Sequence, residues 1–195
     1  MKIKIGVMGS AQGPTIENQE NIKKAIQIGH TIAKNNCILV NGACPGLPDD
    51  AAFGARQAGG FVMGISPAFS HQEHVVKYKS PDQNYDVIVY SGLGLMERDI
   101  INIRSADAIL LLGGGVGTLN EFTVAYDEGK VVGVLTGSGG VSNHIPEILK
   151  ICARNQNSNI IFDSDPKKLV ERTLEALKQY PSPFMEDAHV LDGKP

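Results

Sequence analysis

The sequence predicts one Rossmann-like α/β domain, a doubly wound parallel sheet with helices on both faces. Short Ile/Val/Leu-rich runs alternate with longer stretches of helical periodicity. The runs are apolar throughout rather than every second residue, the pattern of strands buried on both faces. Several of them end in a glycine-rich turn, as the ligand-binding edge of an open α/β sheet does.

The strands are placed at Ile3–Met8, Ile38–Asn41, Phe61–Ile65, Val87–Tyr90, Ala108–Leu112, Val131–Leu135 and Asn159–Phe162. Helical periodicity covers about Asn18–Lys34, Asp49–Gln57, Leu95–Arg104, Leu119–Glu128, Ile145–Cys152 and Pro166–Leu177. Strand–helix alternation implies right-handed crossovers. With 195 residues and no internal repeat, one domain over 1–180 is expected, followed by an extended tail over 181–195 that carries Pro181 and Pro183. Residues 67–85 form the longest stretch without periodicity and are expected to be a functional or mobile loop.

Composition narrows the function classes. A formal net charge of -3 without a basic cluster gives no reason to expect a nucleic-acid partner. The apolar runs are strand-sized, so no membrane association is expected. The N-terminal pattern reads as a first strand rather than a signal peptide, which points to the cytoplasm. Cys37, Cys44 and Cys152 lack metal-site spacing and are expected as reduced thiols; Cys44 sits in a glycine–proline turn. His30, His71, His74, His144 and His189 form no metal-ligand motif. His71 and His74 are read as surface residues or part of a lid, and Lys77 and Lys79 as solvated charges or phosphate contacts.

Glycine turns follow the strands at Gly9–Gly13, Gly42–Gly46, Ser91–Gly94, Gly113–Thr118 and Thr136–Gly140. Glycine lets a ligand approach the backbone, and helix-opening amides attract anions. The strongest turn, Gly113-Gly114-Gly115-Val116-Gly117-Thr118, joins a buried strand to a helix, with Glu121 three residues on. Thr118 could cap the helix or bond a phosphate oxygen, and Glu121 could close a capping box instead of serving chemistry. The loop lacks the lysine of a P-loop and has Thr118 where a dinucleotide fingerprint needs glycine, which disfavours NAD and FAD. In Met96–Arg104, spacing puts Met96, Ile100 and Ile103 on one apolar face, with Arg98 and Asn102 on another side. Arg98 could clamp phosphate, although periodicity alone favours a solvated arginine.

Gly113–Glu121 resembles the P-G-G-x-G-T-x-x-E signature of the Lonely Guy (LOG) family, also labelled lysine decarboxylase-like. Arg98 resembles the arginine of that family's M-x-x-R-K region. Gly9-Ser10 and the Gly42–Gly46 turn add to the likeness, while Asn41–Asp50 and Gly133–Gly140 are more similar to the branch of molybdenum-cofactor carrier proteins. The chain departs from the pattern at Gly113 (for proline), Asp99 (for lysine) and Pro48 (for methionine), and Met96 stands one residue closer to the arginine. Glycine for proline is expected to loosen the turn.

The resemblance implies a phosphoribohydrolase that releases base and ribose 5-phosphate from a nucleoside 5′-monophosphate, without a cofactor or metal. It implies Arg98 and Glu121 as catalytic residues, and Gly114, Gly115, Val116, Gly117 and Thr118 around the phosphate. Gly9, Ser10, Gly42, Gly46 and Met96 would complete the substrate site, in a homodimer or higher homo-oligomer with sites near the interface. The alternative is a carrier or sensor that holds a nucleotide or molybdenum cofactor without turnover. Lysine decarboxylation is rejected, because the motif has no lysine to anchor pyridoxal phosphate.

Overall fold

The computed structural model describes residues 1–152 and 159–180, so the tail over 181–195 lies outside the described residues. Seven strands form one sheet in the order β4-β3-β2-β1-β5-β6-β7. Every adjacent pair is parallel. The strands are β1 (Lys4–Gly9), β2 (Ile38–Asn41), β3 (Phe61–Ser66), β4 (Val87–Tyr90), β5 (Ala108–Leu112), β6 (Val131–Leu135) and β7 (Ile160–Asp163). The helices are α1 (Gln19–Lys34), α2 (Leu47–Gln57), α3 (Leu95–Ser105), α4 (Val116–Asp127), α5 (Ile145–Cys152) and α6 (Pro166–Gln179).

The central strands obey the burial that their apolar runs imply: all five residues of β5 and all five of β6 are buried. One core layer joins the sheet to Ile28 and Ile32 of α1, Ala51 and Ala55 of α2, and Leu169 of α6. The other joins it to Ile103 of α3, Phe122 of α4 and Ile145 of α5. Helices therefore cover both faces, as a doubly wound sheet requires. Strand order reverses between β1 and β5. At that switch point neighbouring crossovers leave on opposite faces, and a crevice opens beyond the carboxyl ends of the two strands.

Local signals start the helices. The Asn18 side chain accepts from the amides of Glu20 and Asn21 to cap α1, and Asp165 accepts from Lys167 and Lys168 before Pro166 opens α6. Two helices begin earlier than periodicity suggests. Pro48, with its preset φ, belongs to the first turn of α2. α4 begins at Val116 with Gly115 as its N-cap and no side-chain cap bond, which removes the capping-box reading of Thr118 and Glu121.

Two expectations about exposure are corrected. The buried side of α3 carries Arg98, Asp99, Asn102 and Ile103. Met96 and Ile100 remain 43% and 39% exposed. α3 crosses the switch-point crevice, so a polar side faces inward and an apolar one outward. The segment 67–85 is also more ordered than a loop. It contains a π-helical turn, Glu73–Lys77, around a fully buried His74. His74 Nε2 donates to the Pro81 carbonyl at 2.9 Å, which assigns the hydrogen to that nitrogen. Nδ1 then accepts from the Ser66 hydroxyl at 2.8 Å, and that hydroxyl accepts from the Ala68 amide at 3.1 Å. His74 is thus neither a surface residue nor a lid contact. His71 is exposed and pairs with Asp82.

His74→Leu keeps the bulk but strands the Ser66 hydroxyl and the Pro81 carbonyl. It should lower unfolding free energy by about 2 kcal/mol, measured by urea denaturation.

Candidate functional site

A cleft of about 430 Å³ opens at the carboxyl ends of β1 and β5, a size suited to a small-molecule ligand. Its walls include Gly9 at the end of β1, Ser10 and Gln12 just after it, Gly42, Cys44 and Pro45 after β2, Met96, Arg98 and Asp99 of α3, and Gly114–Thr118 with Glu121. Another cleft, about 480 Å³, lies among Ile3, Cys37 and the end of α6, away from every glycine turn named above.

The turn after β5 is rigidly braced. The Gly113 amide donates to Ser138 Oγ at 2.8 Å, and the Gly114 amide to Ser10 Oγ at 2.7 Å. The Gly113 carbonyl accepts from the Ser142 amide at 2.9 Å and from its hydroxyl at 2.8 Å. The Val141 amide donates to the Gly114 carbonyl at 2.9 Å, and Asn21 Nδ2 to the Ser138 carbonyl at 3.1 Å. Glycine in place of proline therefore does not loosen this turn. Gly113 has φ 63°, which a proline ring cannot adopt, so here the substitution is what the conformation needs. With two amides engaged by serines, the amides of Gly115, Val116, Gly117 and Thr118 have no acceptor among the described residues. They form the positive end of α4 at the cleft.

Arg98 contradicts the solvated reading: it is only 4% exposed. Its Nη2 reaches Cys44 Sγ at 3.5 Å and its Nη1 lies 3.6 Å from Asp99 Oδ1. Its Nε is buried without a partner among the described residues. The guanidinium lies against Gly42, where an added Cβ would come within 2.0 Å of Nη1 and would have to displace it. Asn41 shapes this turn by accepting from the Ala43 amide at 2.9 Å and donating to the Pro48 carbonyl at 2.8 Å.

Glu121 is 7% exposed and lies 3.5 Å from the side-chain amide of Asn102, which in its satisfied orientation accepts from Arg98 Nη1 at 3.1 Å and from the Gly42 amide at 3.3 Å and donates to the Asn41 carbonyl at 3.3 Å. Burial pushes its carboxyl up to about 8, Asp99 adds to the rise, and Arg98 and Asn102 oppose it. Asp99 is also raised, first by burial, against the opposing effects of Asn120 and Arg98. Burial raises the Cys44 thiol, with Arg98 pulling it down. The cleft therefore has a protonated carboxyl beside a fixed cation at neutral pH.

Eleven of the twelve residues expected at the site line this cleft: Gly9, Ser10, Gly42, Met96, Arg98, Gly114, Gly115, Val116, Gly117, Thr118 and Glu121. Gly46 does not. It packs behind the wall, against the Ser10 carbonyl and Ile16. Lys77 pairs with Glu73 away from the cleft, while Tyr78 and Ser80 line it. Sequence reasoning left Ser138 and Ser142 without a role, although the Thr136–Gly140 turn was visible. It also named Asn102 without seeing that the residue reaches Glu121. These contacts span long sequence separations and have no local periodicity.

The model of the SLOG cluster4 family matches residues 2–170. The chain belongs to that family. It is 29% identical over 137 residues to a cytokinin riboside 5′-monophosphate phosphoribohydrolase of Mycobacterium tuberculosis, covering 66% of this chain and 69% of that protein. Among solved structures, a molybdenum cofactor binding protein from Rippkaea orientalis has a TM-score of 0.71 at 28% identity, covering 91% of this chain and 98% of the other. The molybdenum cofactor carrier protein of Chlamydomonas reinhardtii has a TM-score of 0.72 at 26% identity, covering 91% and 99%. This family member is thus Lonely Guy-like and near the molybdenum-cofactor carriers, as its motifs indicate. Among the described residues no helix is long and apolar enough to cross a membrane.

Glu121 keeps its proton in the folded chain up to about 8 but loses it near 4.5 when unfolded. Between those values the unfolded state binds fewer protons, so this group lowers stability as pH rises. Glu121→Gln removes the penalty. Its stability relative to wild type should increase between pH 4.5 and about 8, measured by denaturant titration at each pH.

Proposed function

We propose that the chain is a phosphoribohydrolase that cleaves the N-glycosidic bond of a nucleoside 5′-monophosphate, giving free base and ribose 5-phosphate. The observation that carries this reading is the convergence of four free helix-opening amides with buried Glu121 and Arg98 in one cleft. The amides of Gly115–Thr118 would hold the 5′-phosphate. Water supplies the hydroxyl that ends on ribose C1, and the base leaves with a proton.

Glu121 has a proton to give, because its pKa of about 8 lies above neutrality. This makes it a general acid for the departing base. Once the proton has gone, the resulting carboxylate can stabilise the ribosyl cation. Arg98 would then offset the new negative charge within a poorly solvated pocket. The cytokinin nucleotide hydrolase relative supports this reading.

A second reading is a carrier that binds a phosphorylated ligand such as molybdenum cofactor. It is favoured by the solved structures of a molybdenum cofactor binding protein and a molybdenum cofactor carrier, each of which covers 91% of this chain. In both readings the chain is proposed as a cytoplasmic homodimer. Exposed Leu95, Met96, Ile100, Ile101 and Val116, beside the cleft mouth, support a self-association face.

A panel of nucleoside monophosphates should yield free base and ribose 5-phosphate by chromatography, with Glu121→Ala reducing kcat by about 10²–10⁴-fold. No product, together with a pterin retained on the purified protein by mass spectrometry, would establish the carrier reading instead. Light scattering should find a dimer, and Ile100→Glu should convert it to monomer by placing charge in the apolar face.

A further inference from the structure

One wall of the cleft belongs neither to the glycine loop nor to the Arg98–Glu121 pair. It is formed by Tyr78 and Ser80, from the segment that joins β3 to β4. β3 stands three strand spacings from β5, about 14 Å, so this segment reaches the cleft from the side opposite the glycine loop. Buried His74 pins both flanks of Ser80. The Ser80 amide donates to the His74 carbonyl at 3.1 Å, and the Pro81 carbonyl accepts from His74 Nε2 at 2.9 Å.

Ser80 is only 7% exposed, yet its hydroxyl has no hydrogen-bond partner among the described residues and is not sealed from solvent. Withdrawing a hydroxyl this far from water without a partner costs free energy. The space that Ser80 borders is the cleft, where a ligand atom can supply the missing bond. Beside it, Lys77 places Nζ 5.1 Å from the centroid of the Tyr78 ring while pairing with Glu73 outside the cleft. That leaves the other face of the ring for the cleft. The neighbouring wall is mostly apolar, with Pro45, Pro48, Leu95 and Met96. A sugar or a charged group finds few bonding partners there, whereas a flat ring can stack and offer its polar edge to Ser80.

We propose that Tyr78 and Ser80 form the subsite for the planar nitrogen heterocycle of a phosphorylated ligand, with Tyr78 stacking on the ring and Ser80 hydrogen-bonding its edge. The inference rests on the reading of the Gly115–Thr118 amides as the phosphate site. Under the hydrolase reading the heterocycle is the departing base; under the carrier reading it is a pterin. A hydroxyl both donates and accepts, so Ser80 accommodates a ring nitrogen or an exocyclic amino group and fixes where the ring edge lies.

The test is calorimetric binding to the full chain carrying Glu121→Gln, which blocks turnover. The probes are the four common ribonucleoside 5′-monophosphates, neopterin monophosphate, and ribose 5-phosphate, which has phosphate and sugar but no ring. At least one ring-bearing probe should bind ten-fold or more tighter than ribose 5-phosphate. Tyr78→Leu should weaken that probe about ten-fold and Ser80→Ala about five-fold. Tyr78→Phe, which keeps the ring, should stay within about two-fold. Ribose 5-phosphate affinity and thermal unfolding should not change in any of the three.

No loss in Tyr78→Leu and Ser80→Ala, or equal losses for ring-bearing and ringless probes, would overturn the proposal. So would ribose 5-phosphate binding as tightly as every ring-bearing probe. If neopterin monophosphate alone depends on Tyr78 and Ser80, the subsite stands without the hydrolase reading. None of these measurements needs turnover, so a failed hydrolysis assay and a failed subsite are separate results.

Discussion

The hydrogen bonds that clamp the turn after β5 hold together everything else at the cleft. Ser10 arrives from the end of β1, and Ser138 and Ser142 from the segment after β6; together they engage both polar groups of Gly113 and the amide of Gly114. Because β1, β5 and β6 are adjacent in the sheet, the three serines meet only when those strands are in register. The brace fixes where α4 begins and hence where its first amides point. The same register places Glu121, about one turn into α4, under the loop that carries Gly42.

That arrangement has an energetic cost. Arg98, Asp99 and Glu121 are nearly removed from water in one small volume, and two carboxyls with one guanidinium cannot all be charged there without unfavourable desolvation. Glu121 answers by holding a proton, and Arg98 by sharing its remaining contacts among Cys44, Asp99 and Asn102. Such a cluster contributes little to stability by itself. It holds a proton and a cation in fixed relation, which under the proposed hydrolase reading is what acid-assisted cleavage of a glycosidic bond needs. Asp99 is part of that balance: where the family pattern has lysine, this chain has a second carboxyl that reinforces the proton on Glu121.

Much of the architecture was legible in the chain because it depends on local pattern. Apolar runs of strand length named all seven strands to within a residue at each end, although only the central ones are buried on both faces and Val87 and Val89 of β4 are exposed. The glycine turns marked the ligand edge, since glycine is required where backbone must turn left-handed or approach closely, and both needs are met at Gly113 and Gly42. Local pattern failed where burial runs against residue type. Periodicity placed Met96 and Ile100 inside and Arg98 outside, and His74 on a surface loop, because it cannot see that α3 lies over a polar crevice or that Ser66 and Pro81 wait on either side of an imidazole.

The amino-acid sequence by itself determined the strand–helix alternation, the parallel sheet and most of the residues that line the cleft. Only the tertiary structure decided which of those groups remain free. Whether an amide of the glycine loop is available depends on serines more than twenty residues away in the chain, and whether Glu121 carries a proton depends on which charges share its desolvated pocket. Both are consequences of through-space contact at a switch point that exists only when β1 and β5 pair.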